Sequence, residues 1–329
     1  ITELLTKITE VGVPFGFKTN ITEMPNSDDY VTGTFDYAIT LSDDGYISSY
    51  SVVAAGSSGT YTIASASDLT TKGEISLTGT VDSSVLETNC GNTVTITVTA
   101  TDNSSPSVTS TQTRKFYIDN TSPTFQYAKV SGKTYTGYYL VPDAVDSGNL
   151  RDDDGNMRIL GEEAVINGWV KDESNGSGID YVMIWFSQGS GTSTKIFSVA
   201  GYDEETEVDE DGSAYSGTAT LVDEDDEDVT VYLPVASLDD VDRNAGGITY
   251  SSGEYSSGTR TPYMIIDVAE VGVDYGANGD YDGYSENIAT TGIWYCAFNS
   301  LMIKDEIYDV NYVVVDIAGN ARYFKDSMF

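Results

Sequence analysis

Oxygen-bearing side chains recur at close spacing in one stretch of the chain that could bind a divalent cation. Four of them fall at positions 1, 3, 5 and 12 of an EF-hand-type loop: Asp152, Asp154, Asn156 and Glu163. Carboxylate and amide oxygens are the hard ligands that calcium prefers. Because Met157 stands where such a loop has glycine, a solvated Asp-Gly turn is the alternative interpretation.

A second oxygen-rich stretch, residues 273–283, predicts an equally good calcium loop. Its turn glycines let carbonyl oxygens converge, and its candidate ligands are Asp274, Asn278, Asp280 and Asp282. Two further acidic runs, residues 203–211 and 223–228, are interpreted as solvated charge, because their density would be self-repelling without counter-ions.

The charge of the whole chain limits its partners and its chemistry. The 329 residues include 52 acidic and 16 basic side chains, which gives a formal net charge of -36, and there is no histidine. Such a surface repels nucleic acid and anionic lipid and attracts divalent cations. The lack of histidine removes Ser-His-Asp and Cys-His catalysis. We therefore expect no enzyme, no nucleic-acid partner and no membrane insertion.

The pattern that must position these loops is that of β-strands. Residues 93–100 alternate strictly, with Val94, Ile96, Val98 and Ala100 on one face and threonines on the other. This period of two is typical of a sheet with one buried and one wet face. Only residues 1–10 have an apolar spacing that a helix could use. The predicted fold class is all-β.

Residues 13–119 are predicted to form a first immunoglobulin-like sandwich. Turns are predicted at Asp43-Asp-Gly45, Gly56-Ser-Ser-Gly59 and residues 103–106. Strands are predicted between them, including 46–54, 61–66, 74–82 and 111–118. About seven strands in about a hundred residues is the pattern of such a sandwich.

Residues 120–329 are predicted to form a second immunoglobulin-like sandwich that starts with a strand at 125–130. Strands 164–170 and 179–186 are apolar on both faces, which predicts burial on both sides. A hairpin around Ala318-Gly-Asn320 closes the chain. A β-rich insertion covers about residues 189–300, with predicted strands at 229–235, 263–268 and 293–298; it either elaborates the sandwich or forms a small subdomain.

The end of the first module resembles a cadherin-like repeat. The resemblance rests on Val98-Thr-Ala-Thr-Asp102, on Ser105-Pro106, and on Asp119-Asn120 followed by Pro123. It implies that Asp102, Asp119 and Asn120 bind calcium at the linker between modules. The alternative from the residues alone is an Asx-turn before Pro123.

The second module resembles bacterial immunoglobulin-like surface domains. The matching features are residues 166–172, residues 178–182 and Val315-Asp-Ile-Ala-Gly-Asn320. Both resemblances imply an extracellular, modular protein that is often stiffened by calcium.

The first functional hypothesis is an extracellular structural subunit that assembles with copies of itself into a surface layer, sheath or filament. Residues 1–12 are expected to form a tail or to donate a strand to a neighbour. The alternative is a modular adhesin or carbohydrate-binding segment of a larger cell-surface protein, with a glycan or surface receptor as partner. Trp169, Trp185 and Trp294 could form a sugar platform, but core packing is the expected use. Cys90 and Cys296 are expected to be buried free thiols or a disulfide.

Overall fold

The computed structural model describes the chain from residue 17 to 328 with internal gaps. The residues outside the description are 1–16, 126–127, 131–132, 136–137, 142–162, 173–175, 200–208, 210, 243–249, 252–253, 256–260, 268–273, 276–280, 284–290, 300–307 and 329. The chain divides into two compact units, Ile1–Asn120 and Thr121–Phe329.

The first unit is built from seven strands in one connected sheet and one short helix, α1 at Ser83–Cys90. The strands are β1 Lys18–Glu23, β2 Tyr30–Val31, β3 Thr34–Ala55, β4 Thr60–Ala66, β5 Thr71–Asp82, β6 Thr93–Asp102 and β7 Thr109–Ile118. The predicted turn at 56–59 is confirmed, since the backbone N–H of Gly56 donates to the Gly59 carbonyl at 3.0 Å before β4 begins.

The long strand β3 organises this unit, because other strands pair along its whole length. Its first half pairs with β1 and β5, and its second half pairs with β4 and β6. The turn predicted at Asp43-Asp-Gly45 is wrong, because these residues lie within β3. The register with β5 shifts between Ser42 and Tyr46, so these three residues are accommodated as an irregularity in a continuing strand.

The core of the first unit confirms the alternation predicted for β6. Val94, Ile96, Val98 and Ala100 are all fully buried, and the intervening threonines are at least partly exposed. They belong to one apolar cluster with residues from both halves of β3. Full burial of an aliphatic side chain contributes about 1.5–3 kcal/mol, so this cluster is the main stabilising term of the unit.

The helix α1 was not predicted, because its eight residues carry no clear apolar stripe. Asp82 caps its start by accepting the Ser84 backbone N–H at 2.9 Å. Gly91 ends it with φ +88, a conformation that glycine adopts without steric cost. Only three helical residues are buried, including Leu86 and Cys90, so tertiary packing rather than helical periodicity holds the segment in place.

The described part of the second unit is also mostly strands, with two short 3₁₀ turns at Gly191–Ser193 and Leu238–Asp240. The strands are β8 Thr124–Phe125, β9 Ala128–Val130, β10 Lys133–Tyr135, β11 Tyr138–Val141, β12 Glu163–Lys171, β13 Ile179–Gln188, β14 Lys195–Phe197, β15 Ser213–Ala214, β16 Gly217–Val222, β17 Asp228–Leu233, β18 Tyr250–Ser251, β19 Glu254–Tyr255, β20 Met264–Asp267, β21 Asp274–Tyr275, β22 Tyr281–Gly283, β23 Thr291–Asn299, β24 Tyr308–Asp316 and β25 Ala321–Met328.

Of the strand predicted at 125–130, Phe125 belongs to β8 and Ala128–Val130 forms β9, while residues 126–127 lie outside the description. The predicted hairpin β24–β25 is confirmed. Its turn contains Gly319 at φ +95, as expected for a glycine that closes a tight connection. The all-β class predicted from the sequence is therefore confirmed. Within the described residues, no helix is both long enough and apolar enough to span a membrane.

Strand β13 confirms the prediction of burial on both faces. Consecutive residues from Tyr181 to Ser187 are buried, with Trp185 only 1% exposed. Trp185 therefore packs in a core rather than lining a sugar platform, and the side chains of Trp169 and Trp294 lie outside the description.

The strands predicted within the insertion share the sheets of the second unit. β20 and β24 both pair with β13, and β23 pairs with β12 along nine residues. Strand β17 joins the larger sheet through β16 and β25. Of the two interpretations of the insertion, this pairing favours an elaboration of the sheets over a separate subdomain.

Candidate metal centre

Two aspartates of the second unit are positioned together by the ends of β12 and β24. Asp172 directly follows β12, and its loop leads into β13. Asp316 is the last residue of β24, and the β13–β24 register places it opposite Ile179, the first residue of β13. Asp316 therefore lies at the end of the sheet where β13 begins, and Asp172 lies just after β12, which belongs to a different sheet.

The carboxylates of this pair are close to each other and shielded from solvent. Asp172 and Asp316 are each 1% exposed. One carboxylate oxygen of Asp172 lies within 4.8 Å of one carboxylate oxygen of Asp316. Two buried carboxylates at this distance repel each other unless a cation or a shared proton offsets their charge.

Backbone and amide donors orient both carboxylates. The Gly178 N–H donates to Asp172 Oδ2 at 2.6 Å. Asn320 donates to both oxygens of Asp316, from its backbone N–H to Oδ1 and from Nδ2 to Oδ2, each at 2.8 Å. The two aspartates could hold a hard cation such as Ca²⁺, which takes oxygen ligands and tolerates variable coordination geometry.

Gly176 allows the loop to approach Asp172 closely. A Cβ atom at this position would overlap the Asp172 carboxylate. Only a glycine at position 176 therefore lets the backbone pass this close to Asp172. This explains the first glycine of the Gly176-Ser-Gly178 segment.

Asp102, which was predicted as a linker ligand, orders a loop of the first unit. Its Oδ1 accepts the Val108 N–H at 2.6 Å and its Oδ2 accepts the Ser104 hydroxyl at 2.7 Å. The Ser104 hydroxyl, followed by the Val108 N–H, lowers the pKa of the Asp102 carboxyl. The loop therefore stabilises the ionised form of Asp102, and a role in calcium binding stays a prediction.

Asn120, the second predicted linker ligand, ties the end of the first unit to two other segments. Its Oδ1 accepts the Ser83 hydroxyl at 2.5 Å, the Thr32 hydroxyl at 3.3 Å and the Gly33 N–H at 3.4 Å. Its Nδ2 donates to Glu87 Oε2 at 2.7 Å. The third predicted ligand, Asp119, is fully buried, and its N–H donates to the Val31 carbonyl at 3.1 Å.

Replacing Asn120 by alanine is expected to lower the free energy of unfolding of the first unit by about 2 kcal/mol, since Glu87 and the start of α1 lose a shared partner. Native-state hydrogen exchange of the β6 and β7 amides, measured on the full chain, reports this loss for the first unit alone. Asn103→Ala is the matched control, because Asn103 is exposed and makes no side-chain hydrogen bond in the described residues, so its effect should stay within about 0.5 kcal/mol. Equal effects of the two variants would contradict the assignment.

The predicted calcium loops of the second unit lie largely outside the described residues. Asp152, Asp154, Asn156, Asn278 and Asp280 are all undescribed. Glu163 begins β12, opposite Asn299 of β23. Asp274 and Asp282 belong to the small hairpin β21–β22, in which Asp274 pairs with Gly283. Calcium binding at these loops stays a prediction.

The acidic run 223–228 is mostly exposed, as the interpretation of solvated charge expects. Residues 224–228 are exposed, and Asp223 Oδ1 accepts the N–H groups of Asp225 and Glu227 at 2.9 and 3.0 Å. Most of the other run, 203–211, lies outside the description. Cys90 is a buried free thiol in the first core, and burial raises its pKa.

Asp172 and Asp316 were not predicted as site residues, although both belong to the segments that carry the bacterial immunoglobulin-like resemblance. Asp172 directly follows a strand, Asp316 ends one, and both precede glycines, which is also the pattern of an ordinary turn. The pairing of β24 with β13, which brings the two together, has no local sequence signal.

No family model and no curated protein sequence matches this chain. Among solved structures, it is similar to red sea bream transglutaminase, with 6% identity, 98% of this chain and 32% of that chain covered, and a TM-score of 0.24. Dimeric latent PorU from Porphyromonas gingivalis gives 12% identity, 98% and 20% coverage, and a TM-score of 0.22. The E. coli alpha-2-macroglobulin gives 7% identity, 95% and 16% coverage, and a TM-score of 0.24. The chain thus spans about a third or less of the length of these proteins.

Proposed function

We propose that this protein is a subunit of a self-assembling extracellular surface layer, sheath or filament, built from tandem immunoglobulin-like β-sandwich units. The observation that carries the proposal is the succession of two compact, strand-rich units in one chain. Repeated rigid units give length, and length is what a surface layer or filament needs. The proposal includes no catalytic activity, since a chain without histidine lacks the usual near-neutral proton shuttle.

An exposed strand edge in the first unit supports assembly by strand addition. Within the described residues, the twelve-residue strand β5 pairs with β3 alone, so its other edge has backbone groups open to a partner. By contrast, the edge of β1 is capped by β7 side chains, because Thr19 N–H donates to Ser110 Oγ and Ile21 N–H to Gln112 Oε1. Residues 1–12 of a neighbouring copy are the proposed donor strand.

Calcium is the proposed cofactor, and it fits both the charge of the chain and an extracellular location. Copies with a net charge of -36 repel each other, so close assembly needs screening or bridging cations. Extracellular calcium modules bind with dissociation constants of about 10⁻⁴–10⁻³ M. The Asp172–Asp316 pair offers ligands of the required type in the second unit.

Removing residues 1–11 tests the donor strand. Light scattering of the full chain in calcium is expected to show large assemblies, and the truncated chain should remain small. A matched control keeps all residues and replaces Thr2 and Thr6 by serine, which changes the segment's chemistry little. Unchanged assembly of the truncated chain would contradict the donor role of this segment.

A modular adhesin or carbohydrate-binding segment is the second candidate function. It is favoured by a hydroxyl-lined groove in the first unit, at Ser49, Ser51 and Thr99. A clean monomer in light scattering, with or without calcium, would favour this candidate over the structural subunit.

A further inference from the structure

A shallow groove of about 430 Å³ crosses strands β3, β4 and β6 of the first unit. Six hydroxyl side chains line it: Ser49, Ser51, Ser65, Ser67, Thr99 and Thr101. Tyr50 and Ala66 complete the lining, although the Tyr50 side chain packs against the core of the unit, and no charged side chain belongs to the lining. Its volume falls in the range of small-molecule sites, about 300–1,000 Å³.

The register of the strands sets these hydroxyls in rows. Ser51 lies opposite Ser65 of β4 on one side and opposite Thr99 of β6 on the other. Ser49 lies opposite Thr101 in the next row. Strands in a sheet are about 4.8 Å apart, and alternate residues along a strand are about 6.8 Å apart, so the hydroxyls form a regular grid.

Four of the six hydroxyls are free to bind a ligand. The side chains of Ser49, Ser51, Ser65 and Thr99 make no hydrogen bond within the part of the chain that the structure describes. The neighbouring Ser48 differs, because its hydroxyl donates to the carbonyls of Thr101 and Asp102 at 3.0 and 2.7 Å. The Ser48 hydroxyl is therefore occupied by the backbone, whereas the four groove hydroxyls remain available as donors and acceptors.

The charge of the groove selects a neutral ligand. None of the 52 acidic residues belongs to this lining, so the groove has no carboxylate ligand for a cation. It also has no lysine or arginine for an anion, and the net charge of -36 repels one. A ligand that is neutral and rich in hydroxyl groups would match the lining.

We propose that this groove binds a neutral polysaccharide. The free serine and threonine hydroxyls exchange hydrogen bonds with sugar hydroxyls. A second copy of the chain is a poorer occupant, because the cores of protein interfaces are apolar and depleted in serine. The proposal concerns the first unit alone and does not depend on self-assembly.

Isothermal titration of the full chain with the neutral probes cellohexaose, laminarihexaose and mannohexaose, and with an acidic oligogalacturonate, tests the groove. The variant T99V/T101V removes two groove hydroxyls from β6 and keeps β-branched side chains of similar size. The control T95V/T97V makes the same change on the same face of β6, outside the groove. Circular dichroism melting shows that both variants fold.

Binding of at least one neutral hexasaccharide is expected, with an affinity that falls about tenfold or more in T99V/T101V and stays within about twofold in T95V/T97V. Three results would overturn the proposal: no binding of any neutral probe, equal weakening in both variants, or binding of an acidic oligogalacturonate alone. If T99V/T101V abolishes self-association in light scattering without any sugar binding, the groove belongs to a copy–copy interface and the polysaccharide assignment fails.

Discussion

The substitution Arg322→Ala is expected to lower the free energy of unfolding of the second unit by about 3 kcal/mol. Arg322 lies on β25 and is only 7% exposed. Its guanidinium donates to the Pro123 carbonyl at 2.8 Å, to the Asp223 carbonyl at 2.6 Å and to Asp226 Oδ1 at 2.7 Å. The substitution leaves three acceptors without their charged donor.

These contacts explain why the effect should be large. Arg322 connects three segments that are distant in sequence: the start of the second unit, the loop between β16 and β17, and the final hairpin. Asp226 is mostly exposed, at 79% of its side chain, so water can replace its bond at small cost. The two carbonyls carry most of the loss, because the buried fork of the guanidinium satisfies both at once.

Chemical denaturation of the full-length variant measures the loss. The matched control is Lys325→Ala on the same strand, which removes an ion pair with Asp309 whose lysine is 49% exposed. Such an exposed pair contributes at most about 1 kcal/mol. Arg322→Lys should recover only part of the stability, since a single ammonium cannot reach all three acceptors. Similar losses for Arg322→Ala and Lys325→Ala would contradict this account of the buried arginine.

Calcium is expected to raise the melting temperature of the second unit by about 5–10 °C. A ligand present at a hundred times its dissociation constant stabilises the folded state by about 2.7 kcal/mol. For a domain of this size, each kcal/mol corresponds to about 2–4 °C. Asp172→Asn should abolish most of this response, because it removes one carboxylate of the buried pair.

Differential scanning calorimetry with calcium and then with a chelator measures the shift. Asp225→Asn is the matched control, since Asp225 is an exposed acid of the same unit and should leave the response intact. If no cation binds, Asp172→Asn would raise the melting temperature, because it would relieve the repulsion between Asp172 and Asp316. Chelation would then leave the melting temperature unchanged. That pair of results would contradict calcium binding at Asp172 and Asp316.

Local periodicity predicted the parts of the fold that depend on one strand at a time. The alternation of Val94, Ile96 and Val98 fixed which face of β6 is buried, and the two-sided apolar run from Ile179 predicted the buried strand β13. Both patterns follow from the period of two in a strand, which requires no knowledge of the neighbours.

The errors arose where pairing overrides local signals. Asp43-Asp-Gly45 has strong turn propensity, yet pairing along the rest of β3 carries the strand through it. Residues 83–90 form a helix without an apolar stripe, because Asp82 and Gly91 cap the segment and Leu86 anchors it in the core.

The candidate sites depend on strand order, which no local pattern contains. Asp172 and Asp316 meet only because β24 pairs with β13. Ser51 lies between Ser65 and Thr99 only because β4 and β6 pair with β3 on opposite sides. The alternation in β6 predicted that its threonines face solvent. It could not predict that this face continues as a groove across β3 and β4.

Negative-stain electron microscopy of the purified full chain, in millimolar calcium and again after chelation, tests the proposed function most directly. Regular sheets or filaments are expected in calcium, and they should disperse when the cation is removed. Dispersed single particles in both conditions, with a monomer mass in light scattering, would contradict a self-assembling structural subunit.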